Sequence, residues 1–453
     1  LEGPHELAEL PPFSGWPAED ADAAGERDRD PSIMVVLGNP PYSIFGQTTP
    51  GPWIRGLLDD YKTGLNERKL NLDDAFIKFI RLGQWHIERR GAGVLAFVVS
   101  NTFLDGITHR RMRESLLDFF TEIFVLDLHG SSKKNERTPG DEKDENVFDI
   151  QQGVAIVIMI KARRSRPAPS KVWHADLWGS RAAKYLRLES EDLSAMTWRQ
   201  IEPEARHFFF VPKDLDLSDE YSAYPSLHGG VFLNKNTGIQ TKRDRLVYHI
   251  NKEELDAVLH DIKDLSAANF AQSYGLPGDG RDWTLAGATA DVRTGKGRGQ
   301  QVLYHPFDLR WTWYSGRTKG WMAYPRSPLM QSALKPNLLL LTVRNARRGN
   351  VDSFLVAATL VDKDAVSPFD NVTFFPLYIY GVEDGAPAHD DAGTALNMSP
   401  EFISSFSRVL EAVPDAVRAE RLVHYIYAVL YAPSYRARYA ELLRIDYPRI
   451  PRT

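Results

Sequence analysis

The chain contains no cysteine, which excludes disulfides and thiolate metal sites. Its 12 histidines fall in no HExxH or comparable spacing, so metal catalysis has no support from the sequence. No apolar run approaches the roughly 18 residues of a membrane span. The best runs, residues 154–160 and 338–343, have the length of strands. A basic and apolar leader of the signal-peptide kind is also missing. The expectation is a soluble cytoplasmic protein with no membrane partner. At 453 residues and 43% hydrophobic, it has enough apolar material for two cores, and two domains are expected.

Excess charge of one sign is small overall, −5, but it is unevenly spread. Residues 1–30 hold nine acids against Arg27 and Arg29, a net of −7, which leaves +2 for the remainder. This stretch lacks periodicity, and residues 1–32 read as an acidic linker or insertion. Residues 293–348 hold eleven Lys or Arg against Asp308 alone, a net of +10. Such a segment is suited to face phosphate. Within it Arg310, Arg317, Lys319, Arg344, Arg347 and Arg348 are candidate DNA contacts, interleaved near residues 304–324 with Tyr304, Phe307, Trp311, Trp313, Tyr314, Trp321 and Tyr324. Period-two spacing turns some of those rings inward if the segment is a strand, so the charges carry more of the reading than the rings. Residues 237–245 add a glycine turn, hydroxyls and Lys242, Arg243 and Arg245, a composition that can meet backbone and base edges together.

The rest of the chain is organised around residues 33–42, IMVVLGNPPY. An apolar run that stops at Asn39, Pro40, Pro41 and Tyr42 reads as a buried parallel strand delivering a rigid tetrad to its carboxyl end. Ligands bind at that edge in open α/β sheets. An exocyclic amine on a nucleobase is a poor nucleophile because its lone pair is delocalised into the ring. The Asn39 side-chain oxygen and the Pro40 carbonyl can accept its two N–H bonds and favour a pyramidal nitrogen. Tyr42 offers a flat face for a base extruded from a duplex. The plain alternative is a strand ending in an Asn-Pro turn.

Residues 48–71 mix Gly, Pro and charge and read as a loop across that edge, ordered by DNA or serving as a surface connection. A helix is expected over 73–89, stopped by Gly91 and Gly93, then a strand over 94–99, a helix over 109–118 and a strand over 122–128. This alternation is half of a doubly wound sheet. Residues 100–104 would sit beside the tetrad, either walling a pocket or forming a turn. Residues 130–146 are too polar for core, and the run ARRSRPAP (162–169), around Arg163 to Pro169, marks a domain boundary. Beyond it, short strands near 208–211, 246–250, 302–305, 338–343 and 354–357 suggest a mixed domain. Ser399, Pro400 and Glu401 cap a helix over 402–413, followed by helices over 415–431 and 435–443, with Tyr425, Tyr427 and Tyr431 read as core.

NPPY after an apolar strand resembles the catalytic motif of S-adenosylmethionine-dependent amino-methyltransferases, and VVLGNPPYS resembles the DNA adenine-N6 branch of bacterial restriction-modification enzymes. DENVFDIQQGVAIVIMIK (144–161), TGIQTKRDRLVYH (237–249), VLYHPFDLRWTWY (302–314), FFPLYIYG (374–381) and YAVLYAPSYRARYAELLRIDYPRIP (427–451) resemble type ISP restriction-modification proteins. The resemblance implies a partial doubly wound, Rossmann-like methyltransferase sheet over 33–165 and a mixed α+β target-recognition domain over 166–453, helical from about 399. It implies Asn39, Pro40, Pro41 and Tyr42 as catalytic residues, Phe148 as the ring on the far face of the base, and double-stranded DNA as partner. Phe148 plugging the entry of the next strand is an equally simple role. It further implies S-adenosylmethionine, whose glycine turn and acidic residue are expected upstream of residue 1, together with helicase and nuclease modules of the same polypeptide. Two alternatives stay open: a DNA-specificity module with an inactive methyltransferase remnant, and a protein glutamine methyltransferase, which uses the same acceptor geometry on a side-chain amide.

Overall fold

A computed structural model describes residues 35–42, 51–65, 72–163, 168–327, 329–345, 353–380 and 394–452. The acidic stretch 1–32, Arg347 and Arg348 lie outside the described residues. The chain divides into two compact units, Leu1–Lys213 and Asp214–Thr453.

The first unit is built on a six-stranded sheet of β1 (Val35–Gly38), β2 (Gly93–Ser100), β3 (Glu122–His129), β4 (Val154–Lys161), β5 (Lys171–Asp176) and β6 (Arg199–Ile201), in the order β1-β2-β4-β3-β5-β6. Strands β1 and β2 are parallel, as are β3 and β5, while β4 runs antiparallel between β2 and β3. The clean alternation expected of a doubly wound half therefore breaks at β4. Its apolar run, VAIVIMIK, suits a central position in either direction, and period alone does not reveal direction. Because β5 and β6 complete this sheet, the unit ends at Lys213 and the domain boundary expected near 165 is corrected by about 50 residues.

One face of the sheet carries the main core. Helix Ala75–Arg90 turns Phe76, Ile77, Ile80 and Ile87 onto it, and Gly91 ends the helix at φ 78°, in the left-handed conformation that costs glycine little. Gly83 lets the helix approach β2, since a Cβ there would stand 2.4 Å from Leu95 Cδ1. Each such fully buried aliphatic side chain is worth about 2–5 kcal/mol against truncation to alanine. Residues 48–71, expected to be loop, contain helix Pro52–Lys62. Pro52 starts it, and Ile54, Leu58 and Tyr61 share its buried stripe. Their helical spacing is masked in sequence by the surrounding Gly, Pro and charge. Strand β1 is also corrected. Instead of being buried on both sides it is the last strand in the order, with Val36 packed on the core and Val35 and Leu37 exposed at 55% and 74%.

The second unit combines a four-stranded sheet of β7 (Asn236–Thr237), β10 (Leu339–Thr342), β11 (Leu355–Ala357) and β13 (Thr373–Pro376) with a three-stranded one of β8 (Arg298–His305), β9 (Asp308–Tyr314) and β12 (Leu360–Val361). A two-stranded pair, β14 (Tyr378–Tyr380) and β15 (Thr394–Leu396), precedes the C-terminal helices. Strands expected at 302–305, 338–343 and 354–357 are present. Residues 208–211 form no strand; the buried Arg113 guanidinium takes the Phe208 carbonyl and Phe210 N donates to Leu104 O. Leu246 and Val247 lie in helix Asp244–Val247. Ser399 caps Pro400–Ser404 as expected, but that helix stops early and a second, Ser407–Leu410, replaces its continuation. In helix Asp415–Tyr431 the core stripe is Leu422, Val423, Ile426 and Leu430. The tyrosines lie off that stripe, with the Tyr425 hydroxyl donating to Pro451 O and that of Tyr431 to Phe354 O. No described helix is long and apolar enough to cross a membrane.

Candidate active site and nucleic-acid interface

Strands β1, β2, β3 and β5 point the same way, so their carboxyl ends share one edge of the first sheet, where β4 also begins. The tetrad follows β1 there. Asn39 and Pro41 are exposed, Pro40 is buried, and Tyr42 is half-buried. The β1–β2 ladder runs to the pair Gly38–Phe97, so pairing ends one residue before Asn39 and leaves its side chain outside the ladder. Tyr42 meets Phe148, which leads into β4, with ring centroids 5.9 Å apart and planes at 50°. Both rings pack on the cluster of Leu126, Leu128, Val147 and Val154. The Tyr42 hydroxyl is buried without a hydrogen-bond partner among the described residues, and burial pushes its pKa up to about 12. A base held flat between two rings needs about 7 Å, twice the ~3.4 Å stacking rise. The two rings therefore leave no room for a base as they stand, and must part by about 1 Å and turn more nearly parallel to admit one.

Beside them lies a polar cluster that sequence reasoning missed. Asp127, buried near the end of β3, accepts from Asn101 Nδ2 at 3.0 Å and from the His129 backbone N–H at 2.9 Å. The ladder slips between Asp127 and His129, and His129 adopts φ 51°. Its ring stacks on Trp178 and its Nε2 lies 2.8 Å from Asp176 Oδ1. Burial pulls the His129 pKa down, but hydrogen bonds to Asp176 and Glu136 outweigh it and raise it to about 9. Burial pushes the Asp127 pKa up. After β2, the Arg113 guanidinium binds the carbonyls of Phe103, Gly106, His207 and Phe208 at 2.6–2.8 Å, which fixes the turn beside the tetrad. These partners are separated by up to 95 residues in sequence. The one local signal was the expected position of residues 100–104 at the strand end.

In the second unit the structure brings two of the candidate basic segments together. Gln240 and Tyr324 exchange backbone hydrogen bonds at 2.9 and 3.0 Å, and Ala323 N donates to Thr241 O. The loop of Lys242 and Arg243, with Arg245 in the short helix that follows, thus lies against the loop of Arg317 and Lys319. Lys242, Arg245, Arg317 and Lys319 are exposed, and Lys242 and Lys319 sit at φ 68° and 56°. Arg243 is half-buried, stacked over Trp283 at 4.8 Å and donating to Gly278 O. Buried Asp291 anchors the second loop by accepting from Ser315 Oγ at 2.8 Å and from Trp321 N at 2.9 Å. Gly238, the expected glycine turn, packs so closely that a Cβ would meet Asp362 O at 2.3 Å. Arg310 and Arg344 do not join these loops as free cations: Arg310 is paired with Asp308 at 2.6 Å and Arg344 with Asp446 at 2.7 Å. Of the aromatics, Trp313, Tyr314 and Trp321 are buried, and Phe307 is 89% exposed.

Residues 230–453, most of the second unit, match the family described as Type ISP C-terminal specificity domain. That match takes in 224 of the 453 residues and bears out the resemblance to type ISP restriction-modification proteins. Over 95% of its length the chain is similar to the structure described as the ATP-dependent Type ISP restriction-modification enzyme LlaBIII bound to DNA, at 21% identity and a TM-score of 0.69. Over 96% it is similar to the DrdV–DNA complex, at 22% and 0.70, and to a nuclease-deletion mutant of the Type ISP enzyme LlaGI with a DNA substrate mimic, at 19% and 0.65. The chain spans 29%, 44% and 41% of those proteins, and at these identities the likeness is one of fold. No curated protein matches the sequence.

Proposed function

We propose that the chain is the segment of a type ISP restriction-modification enzyme that joins the base-handling edge of a DNA adenine-N6 methyltransferase to the domain that selects the target in double-stranded DNA. The observation that carries this reading is the meeting of Tyr42 and Phe148, 106 positions apart, beside an exposed Asn39 at the carboxyl edge of a sheet. An adenine turned out of its duplex is held between the two rings. Asn39 Oδ1 and the Pro40 carbonyl accept the N6 hydrogens and draw the nitrogen lone pair out of conjugation. No strong base is required, since the methylated amine becomes acidic and releases its proton to solvent. The methyl donor of such a reaction is S-adenosylmethionine. The tetrad and Phe148 offer neither a glycine turn nor an acid for its ribose, so these residues account for base handling alone, and the donor's cradle is assigned to other parts of the polypeptide. The loops of Lys242, Arg317 and Lys319 supply phosphate contacts and base-edge readout.

The tight Tyr42–Phe148 contact favours one second reading, a specificity module whose methyltransferase edge is a closed remnant. Methyl incorporation into duplex DNA by the full polypeptide decides between them. Activity that Asn39→Ala lowers by about 10²–10³-fold, with DNA affinity unchanged, supports base handling. An inactive polypeptide that binds DNA normally supports the remnant, and equal loss of activity and binding in the variant would mean misfolding.

A further inference from the structure

Phe148 lies in residues 145–148, which belong to neither helix nor strand. Their four consecutive carbonyls nevertheless share one source of donors, helix Arg181–Ser190. Lys184 Nζ donates to Glu145 O at 2.6 Å, to Asp144 Oδ2 at 2.8 Å and to Leu128 O at the end of β3 at 2.7 Å. Arg181 donates to Asn146 O at 2.7 Å and to Phe148 O at 3.0 Å, and the Tyr185 hydroxyl donates to Val147 O. Positions 181, 184 and 185 are one helical face, so a single rigid element grips the whole segment. The helix is itself fixed at its start, where Ser180 caps it and Glu145 accepts from Arg181 N. Lys184 and Asp144 are fully buried as a pair.

We propose that Arg181, Lys184 and Tyr185 are positioning residues that act through Phe148, holding its ring against the target base while β1 and its prolines hold Tyr42. The two walls of the base site are then set by separate frameworks, one a strand end and the other a helix face. Four carbonyls gripped in sequence exceed what fastening a surface loop requires, and the gripped segment ends on Phe148, whose ring meets Tyr42. This inference rests on the base-handling reading above.

The test uses the full polypeptide and single-turnover transfer of tritiated methyl groups to unmodified genomic DNA. Arg181→Met combined with Tyr185→Phe removes three of the carbonyl contacts at side chains 38% and 42% exposed, where folding tolerates the change. The rate constant should fall about tenfold, with DNA affinity and the midpoint of thermal unfolding held within about 2 °C of the parent. Phe148→Ala should cost at least as much, and adding the pair to it should cost nothing more, because residues acting through one side chain are not additive. Losses that multiply, or no loss in the pair, overturn the inference while leaving the base-handling reading intact. Should Asn39→Ala and Phe148→Ala both retain full transfer, the base-handling reading itself falls and the inference with it. Lys184→Met strands a buried Asp144 carboxylate and serves as the folding control.

Discussion

The edge of the first sheet and the paired loops of the second unit are both candidate contact surfaces, and they are built in opposite ways. At the sheet edge the candidate groups are uncharged and their places are fixed by strand ends, prolines and a gripping helix. In the loops the candidate groups are exposed cations, and what is fixed is the main chain beneath them. A surface that must distort one atom needs its side chains held to a fraction of an ångström. One that neutralises phosphates needs charge at roughly the right place. Rigidity is therefore concentrated in side chains in the first case and in the backbone in the second.

Substitutions can break this contrast in order of expected effect. The largest is Asn39→Ala, whose loss of methyl transfer without loss of DNA affinity would mark the sheet edge as chemistry alone. Next, the triple change Lys242→Ala, Arg317→Ala, Lys319→Ala should weaken DNA binding and reduce the slope of log affinity against log salt by about 3. An unchanged slope would remove the loops from the interface. Smaller is the pH response of the polar cluster. The His129 pKa stands at about 9 against an ordinary value near 6.5, so its stabilisation is complete below pH 6.5 and lost as pH rises through 9. His129→Gln should cost about 2 kcal/mol in denaturant unfolding at pH 6 and almost nothing at pH 10; a cost independent of pH would show that packing on Trp178 matters more than charge. Smallest is Arg344→Ala. Because Arg344 is already paired with Asp446, the salt slope should not move and stability should change by about 0.5 kcal/mol or less.

The same contrast explains what was legible in the sequence. The tetrad is contiguous, so its strand, its break and its edge could be read from residues 33–42. Helix Ala75–Arg90 was marked at its end by Gly91, and the Ser399 cap lay three residues from the N–H it accepts. Phe148 was reachable only through the family resemblance, since no local pattern links it to Tyr42. The direction of β4, the late domain boundary and the Asp127–His129–Asp176 cluster depend on strand order, which side-chain period does not encode. Arg310 and Arg344 looked like free cations because Asp446 is 102 residues from Arg344, and because Asp308, two positions from Arg310, turns toward it only within the β8–β9 hairpin. Helix Pro52–Lys62 was hidden by composition, as its three buried residues are spaced for a helix but diluted by Gly, Asp and Lys.

The exchange of backbone hydrogen bonds between Gln240 and Tyr324 has an evolutionary consequence. A loop fastened by its own amides and by the buried Asp291 keeps its path when only its exposed side chains are exchanged. A lineage under pressure to change what this unit touches can therefore replace Lys242, Arg317 or Lys319 one at a time, each step yielding a folded protein with an altered preference.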